Sequence, residues 1–190
     1  LPEANATQVP RDGLVLWLDP NDLNADGLAD NLPDGTLVDS WKSKVGDANA
    51  SQSTEVLKPK SNFFGDTNLK AVAFDGGDYL LDDNASLPVQ LIFAVYRGQS
   101  VSNDVLLSDN TLSLVKIGHH NGYYFRDGEF HKNTGGTVRV SGGDGGSGSY
   151  VSWQTDVVAM TAASGGTYNG TFAKLGIGAQ TASASNWEGE

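Results

Sequence analysis

The sequence predicts an all-β domain, an antiparallel sandwich or barrel, and three observations predict it. Short apolar runs recur along the whole chain. Turn residues separate them every 8 to 15 residues or so, and no stretch carries a convincing helical period. Glycine, at 24 of 190 residues, stands well above its usual share of about 7% and is scattered without a period, which fits many turns.

The elements follow in order. Residues 1 to 11 are polar and contain two prolines, a lead-in segment. Gly13-Leu-Val-Leu-Trp-Leu18 is a short apolar run between turn signals and reads as a buried strand. Weaker strands are expected at Val38 to Trp41 and Ala50 to Gln52, around a Gly46-Asp47 turn. Lys70 to Phe74, the Asp75-Gly-Gly77 turn and Asp78 to Leu81 read as a hairpin. Gln90 to Arg97 is the strongest strand signal. Val105 to Ser108 and Leu112 to Ile117 flank turn residues Asp109 and Asn110. Gly122 to Arg126, Thr137 to Ser141, Asp156 to Ala162 and Ala173 to Ile177 complete the set. Gly142 to Gly148 reads as a flexible loop; with no Lys-Ser/Thr pair after it, it is not a phosphate cradle.

The chain length suits one domain, 1–190, with a core large enough to need no disulfide. Cysteine is absent, which excludes a disulfide scaffold, a thiolate zinc site and a cysteine nucleophile. A net charge of −11 with only 12 Lys and Arg speaks against nucleic acid and anionic membranes. No apolar run is long enough for a helical membrane span. The chain starts at Leu1 without methionine, which leaves room for a removed leader, and sequons stand at Asn5, Asn49, Asn84 and Asn169.

The most distinctive local pattern is Asp22-Leu-Asn-Ala-Asp-Gly-Leu-Ala-Asp30. Side-chain oxygens fall at its first, third, fifth and ninth positions (Asp22, Asn24, Asp26, Asp30), Gly27 is sixth, and Leu28 is seventh, where a main-chain oxygen serves. Hard oxygen ligands around a sharp glycine turn are what Ca2+ requires. The twelfth position is Pro33, so the glutamate that closes an EF-hand loop is missing, and Asp19 or Asp34 is expected to supply the absent carboxylate. A solvated Asx-rich turn is the plainer alternative.

A series of motifs runs through the chain: Gly13 to Pro20, the Asp22 loop, Leu32-Pro-Asp-Gly35, Val38-Asp-Ser-Trp-Lys-Ser-Lys44, Phe74 to Leu81, Leu175 to Ala179 and Trp187-Glu-Gly-Glu190. In this order they resemble the LamG-like, concanavalin A-like domains of large exported bacterial proteins. The resemblance implies a two-sheet antiparallel jelly-roll sandwich, often with one structural Ca2+, secreted or at the cell surface. It also implies a further apolar strand beyond Glu190, without which a sheet edge would stand open.

Catalysis finds less support than binding. A Glu-x-Asp-x-Glu strand of the kind glucanases of that superfamily use is absent, and Asp127 with Glu129, the one spaced pair, sits at a turn signal. His119, Tyr123 and Arg126 could serve a lyase only on an unbroken strand, which Asn121-Gly122 interrupts. Adjacent His119 and His120 point to opposite faces, so with His131 they make a poor zinc site. No Gly-x-Ser-x-Gly elbow is present. Polysaccharide or cell-surface glycan is the expected partner, with Tyr123, Tyr124 and Trp153 stacking on sugar rings and Asn121 bonding hydroxyls. Tyr168, Asn133 and Gln154 are further candidates. Trp17, Trp41, Trp187 and Phe74 are expected in the core. A purely structural or protein-binding module of an adhesin is the alternative, and a polysaccharide-cleaving enzyme the third reading.

Overall fold

A computed structural model describes residues 11–65, 67–88, 91–98, 105–108, 116–118, 137–140, 143–144, 155–161, 171–172, 174–178 and 187–190. The described chain is all-β with antiparallel sheets, and its only helical element is one 3₁₀ turn at Glu55–Leu57. The strands are β1 Ser40–Lys42, β2 Asn49–Ser51, β3 Lys60–Phe63, β4 Lys70–Asp75, β5 Leu80–Asp82, β6 Leu87–Pro88, β7 Leu91–Arg97 and β8 Val105–Ser108. They continue with β9 Lys116–Gly118, β10 Thr137–Val140, β11 Gly143–Asp144, β12 Thr155–Thr161, β13 Thr171–Phe172, β14 Leu175–Ile177 and β15 Glu188–Gly189.

One sheet runs in the order β1-β2-β5-β14-β8-β9, and others run β11-β10-β12-β7 and β15-β4-β3, with a β13-β6 pair. The last two larger sheets are joined by the end of the chain. Gly189 pairs with Phe74 of β4 and bridges to Gly98, while Glu190 and Arg97 exchange both main-chain hydrogen bonds, at 2.6 and 2.9 Å. A single core draws on both layers: Ala50, Leu80, Leu175 and Ile177 from the first sheet, and Val72, Phe74, Ile92, Tyr96 and Trp187 from the joined ones. This is the arrangement a two-layer sandwich requires, because each sheet has one apolar face to cover.

Four sequence expectations are corrected. The apolar run 14–18 forms no strand. The Trp17 amide donates to Ser43 Oγ (3.0 Å) instead of a main-chain carbonyl, and the Lys44 amide donates to the Trp17 carbonyl. With a side chain taking one rung, no regular ladder develops. The predicted hairpin of 70–74 with 78–81 does not form: β4 pairs with β3 and β15, whereas β5 pairs with β2 and β14. The Asp75-Gly-Gly-Asp78 turn therefore carries the chain from one sheet to another. Strand β3 carries no strong β-signal in Lys-Ser-Asn-Phe and is held by its pairing to β4. The glycine-rich 142–148 stretch contributes β11, paired to β10. Of the four core aromatics expected, Trp187 and Phe74 are buried, Trp41 is half-buried against the core, and Trp17 is half-buried beneath the cations of Arg11 and Lys44.

The sheet-changing turn leaves an electrostatic mark. Asp78 is buried, and its carboxylate accepts the Asp75 amide at 3.3 Å. Burial first, and repulsion from Asp75 second, push its pKa to about 6, against smaller opposing pulls from the Asp75 amide bond and then from Lys60. Between pH 4 and 6 or so the folded state then holds this proton more tightly than the unfolded chain, so stability declines as pH rises through that window. Asp78→Asn is expected to leave the melting temperature near pH 4 almost unchanged and to raise stability at pH 7 by on the order of 1 kcal/mol, allowing for solvent screening. Thermal melts across that range check it; a variant that retains the wild-type pH slope contradicts the assignment.

Candidate metal loop and a polar cleft

The Asp22–Asp30 loop closes on itself through carboxylate-to-amide bonds. Asp22 Oδ1 accepts the Asp26 amide and Oδ2 the Gly27 amide, both at 3.0 Å. Asp30 Oδ2 accepts the Leu23 amide at 2.6 Å, and the Asp30 amide returns to the Asn21 carbonyl at 2.8 Å. Asn24 Oδ1 accepts the Asp26 amide, and Asp26 Oδ1 accepts that of Leu28. These are Asx turns, short polar side chains bonding main-chain amides a few residues on. Gly27 (φ +89°) and Ala25 (φ +58°) take the left-handed conformation the tight path demands.

Lys44 pins this loop to the protein. Its Nζ lies 2.9 Å from Asp22 Oδ2 and 3.1 Å from Asp19 Oδ2. The bond from Lys44 is the main cause that holds Asp22 below the ordinary carboxylate range. Burial acts to raise Asp19, but the Asn21 amide and Lys44 outweigh it and its pKa is lowered too. Hydrogen bonds to Asp22 and then Asp19 raise Lys44 in turn. Because both carboxylates titrate below 3.8, the tie is intact above that pH and is lost on stronger acidification. Main-chain bonds complete the attachment: Lys42 N–H to the Leu23 carbonyl (2.8 Å), and Trp41 Nε1–H to the Asp19 carbonyl (3.2 Å).

The structure thus brings Asp19, Asp22, Asn24, Asp26 and Asp30 into one neighbourhood. Leu28 is an exposed loop residue there, and Asp34 turns instead to Lys70 Nζ, 3.2 Å away. In kind, the donor set fits a hard divalent cation: every ligand atom is an oxygen, and a carboxylate that accepts one amide keeps lone pairs for a metal. In the described geometry, those side chains are engaged with loop amides and with Lys44. Among the described residues, no three acidic or histidine side chains converge as a metal-holding group. Loading a cation would require the loop's carboxylates and Asn24 to converge more closely.

The sequence reading missed Lys44, which stands 25 residues from Asp19 with no local signal to connect them. It also missed a cleft of about 900 Å³ whose polar lining includes Asp47, Asn49, Asp82, Asp83, Asn84 and Ser86. Asp82 is structural there, with Oδ2 accepting the Asn49 amide (2.7 Å) and Oδ1 the Asn84 amide (2.9 Å). Asp83 pairs with Lys174 at 2.9 Å. These residues come from separate segments gathered by the β2-β5-β14 pairing, so no short motif announces them.

The expected sugar-contacting residues Tyr123, Tyr124, Trp153 and Asn121 lie outside the described residues. So do His119, His120, Arg126, Asp127, Glu129, His131, Asn133, Gln154 and Tyr168. Comparison with family models, with curated proteins and with solved structures finds no match. The class that fold and site define is therefore an antiparallel all-β domain with an acidic, lysine-tethered loop. No helix among the described residues is long and apolar enough to cross a membrane.

Proposed function

We propose that this chain is a noncatalytic jelly-roll module of an exported protein, stabilised by Ca2+ and binding carbohydrate or serving in adhesion. The observation that carries the reading is the Asp22–Asp30 loop: oxygen donors at alternating positions around a glycine turn, anchored to β1 by its own main chain. Asp22, Asn24, Asp26 and Asp30, with a Leu28 main-chain oxygen and Asp19 nearby, would hold the ion. Bound there, Ca2+ would neutralise a cluster of like charges in a chain of net charge −11. Carbohydrate suits the polar cleft, whose amides, hydroxyls and carboxylates match sugar hydroxyls.

Calcium at 100 times its dissociation constant is expected to add about 2.7 kcal/mol to folding. For a domain of this size that raises the melting temperature by roughly 5–10 °C. Chelator should reverse the rise, and Asp26→Asn should abolish it. A melt indifferent to Ca2+ and to chelator rejects the ion. A glycan array tests the carbohydrate half, and hits lost on Asn49→Ala or Asn84→Ala would place the sugar in the cleft.

One observation favours a second reading, a structural or protein-binding module. Leu91, Phe93 and Val95 of β7 project large apolar side chains into solvent, at 49, 69 and 61% exposure. An array without hits, alongside an intact fold, favours this reading.

A further inference from the structure

A cation already sits beside the acidic loop, and it belongs to the chain itself. Lys44 Nζ lies 2.9 Å from Asp22 Oδ2, 3.1 Å from Asp19 Oδ2 and 5.1 Å from the centroid of the Trp17 ring. Two carboxylates and an aromatic face therefore surround the ammonium. The Lys44 side chain is 20% exposed, and that of Asp22 only 4%. The main chain fixes the lysine there as well. The Lys44 amide donates to the Trp17 carbonyl, and the Lys42 amide to the Leu23 carbonyl.

Asp22 and Asp19 are also two of the carboxylates that would hold Ca2+. The Asp22 carboxylate is crowded: Oδ1 accepts the Asp26 amide, and Oδ2 takes both the Gly27 amide and Lys44. Asp19 divides in the same way, with Oδ1 toward Asn21 and Oδ2 toward Lys44. A divalent ion on these groups must share them with the ammonium or expel it. Sharing sets two cations close together where water is partly excluded, and they repel. Expulsion forfeits both ion pairs. Either route subtracts from the binding energy of the ion, so positive charge at position 44 weakens Ca2+. On the ion-free fold the same charge acts the other way. Without it, a nearly buried Asp22 carboxylate loses its counter-charge, which is destabilising.

Resting on the Ca2+ reading given above, we propose that Lys44 is a resident counter-ion that Ca2+ must displace from Asp22 and Asp19. The lysine holds the loop closed when the ion is absent and sets the Ca2+ concentration at which the ion takes over. A loop that must first give up two ion pairs belongs with the weak sites of extracellular modules, with a dissociation constant of about 10⁻⁴–10⁻³ M. Displacement also carries the ammonium off the face of Trp17, which ends a cation–π contact and gives the exchange an optical signature.

The test is calorimetric titration of the calcium-depleted 190-residue chain with CaCl2, on wild type and on substitutions at one position. Lys44→Met removes the charge and keeps the stem, Lys44→Gln keeps a hydrogen-bond donor without charge, and Lys44→Arg keeps the charge. The two neutral variants are expected to bind Ca2+ at least tenfold more tightly than wild type, and Lys44→Arg about as weakly as wild type. Lys44→Gln carries the comparison should Lys44→Met fail to fold. In chelator Lys44→Met should melt below wild type, and that difference should shrink as Ca2+ rises. Wild-type tryptophan emission should change with Ca2+, a change lost in Trp17→Phe and in Lys44→Met. Equal or weaker Ca2+ binding by the neutral variants overturns the proposal and leaves the Ca2+ reading standing. So does a wild-type emission indifferent to Ca2+, or a change that survives Lys44→Met. Absence of Ca2+ binding from wild type and neutral variants alike rejects the ion itself, and the displacement with it.

Discussion

Trp187→Ala is expected to lower stability by about 3–5 kcal/mol, the cost of emptying a large aromatic from a packed core. Trp187 is fully buried and meets Tyr96 edge-on, with ring centroids 5.5 Å apart. Its position amplifies the effect. The Trp187 amide donates to the Gly178 carbonyl at 2.7 Å and the Gly76 amide to the Trp187 carbonyl at 3.0 Å. A collapse around the missing indole would therefore strain the contacts through which the chain end joins β4 to β7. Urea unfolding followed by far-UV circular dichroism checks this. A loss under 1 kcal/mol would show that the indole is not a core element.

The second large effect is expected at Gly178. Its φ of +79° is left-handed, and a Cβ there would lie 2.4 Å from Cδ1 of Phe74, itself a buried ring on the opposing layer. Gly178→Val combines about 1–2 kcal/mol of backbone strain with about 1–3 kcal/mol of overpacking. Gly178→Ala should cost less, because only one carbon must be accommodated. A double substitution with Phe74→Leu, which makes room at the ring, should recover part of the overpacking cost and none of the backbone strain. The two contributions are then separable by a mutant cycle on unfolding free energies. Equal costs for the alanine substitution with and without Phe74→Leu would contradict the steric half of the argument.

Much of the strand inventory was legible because it rests on local chemistry. Leu91 to Arg97 alternates between buried Ile92 and Tyr96 and exposed Phe93 and Val95, and a half-buried strand must do so. Val105–Ser108 and its antiparallel pairing with Lys116–Gly118 likewise follow from two apolar runs around turn residues. The failures came where partner choice decided. Lys70 to Leu81 carries a good hairpin signature, yet its two strands belong to different sheets, because both edges of β4 are taken, one by β3 and the other by β15. Leu14 to Leu18 is apolar enough for a strand, but Ser43 takes the bond a neighbouring strand would have taken.

The acidic loop divides in the same way. Its turns could be read from Asp22, Asn24, Asp26 and Gly27, since Asx side chains bond amides only a few residues away. Its tether could not. Lys44 reaches Asp19 and Asp22 only because Lys42 and Trp41, both in β1, hydrogen-bond Leu23 and Asp19 and bring the two segments side by side. The sequence by itself determined the all-β class, the position and donor chemistry of the loop, and the acidic net charge. Only the tertiary structure decided which strands share a sheet and how Lys44 comes to pair with Asp19 and Asp22. Periodicity and turn chemistry act over a few residues, whereas pairing, burial and charge neutralisation depend on segments that only folding brings together.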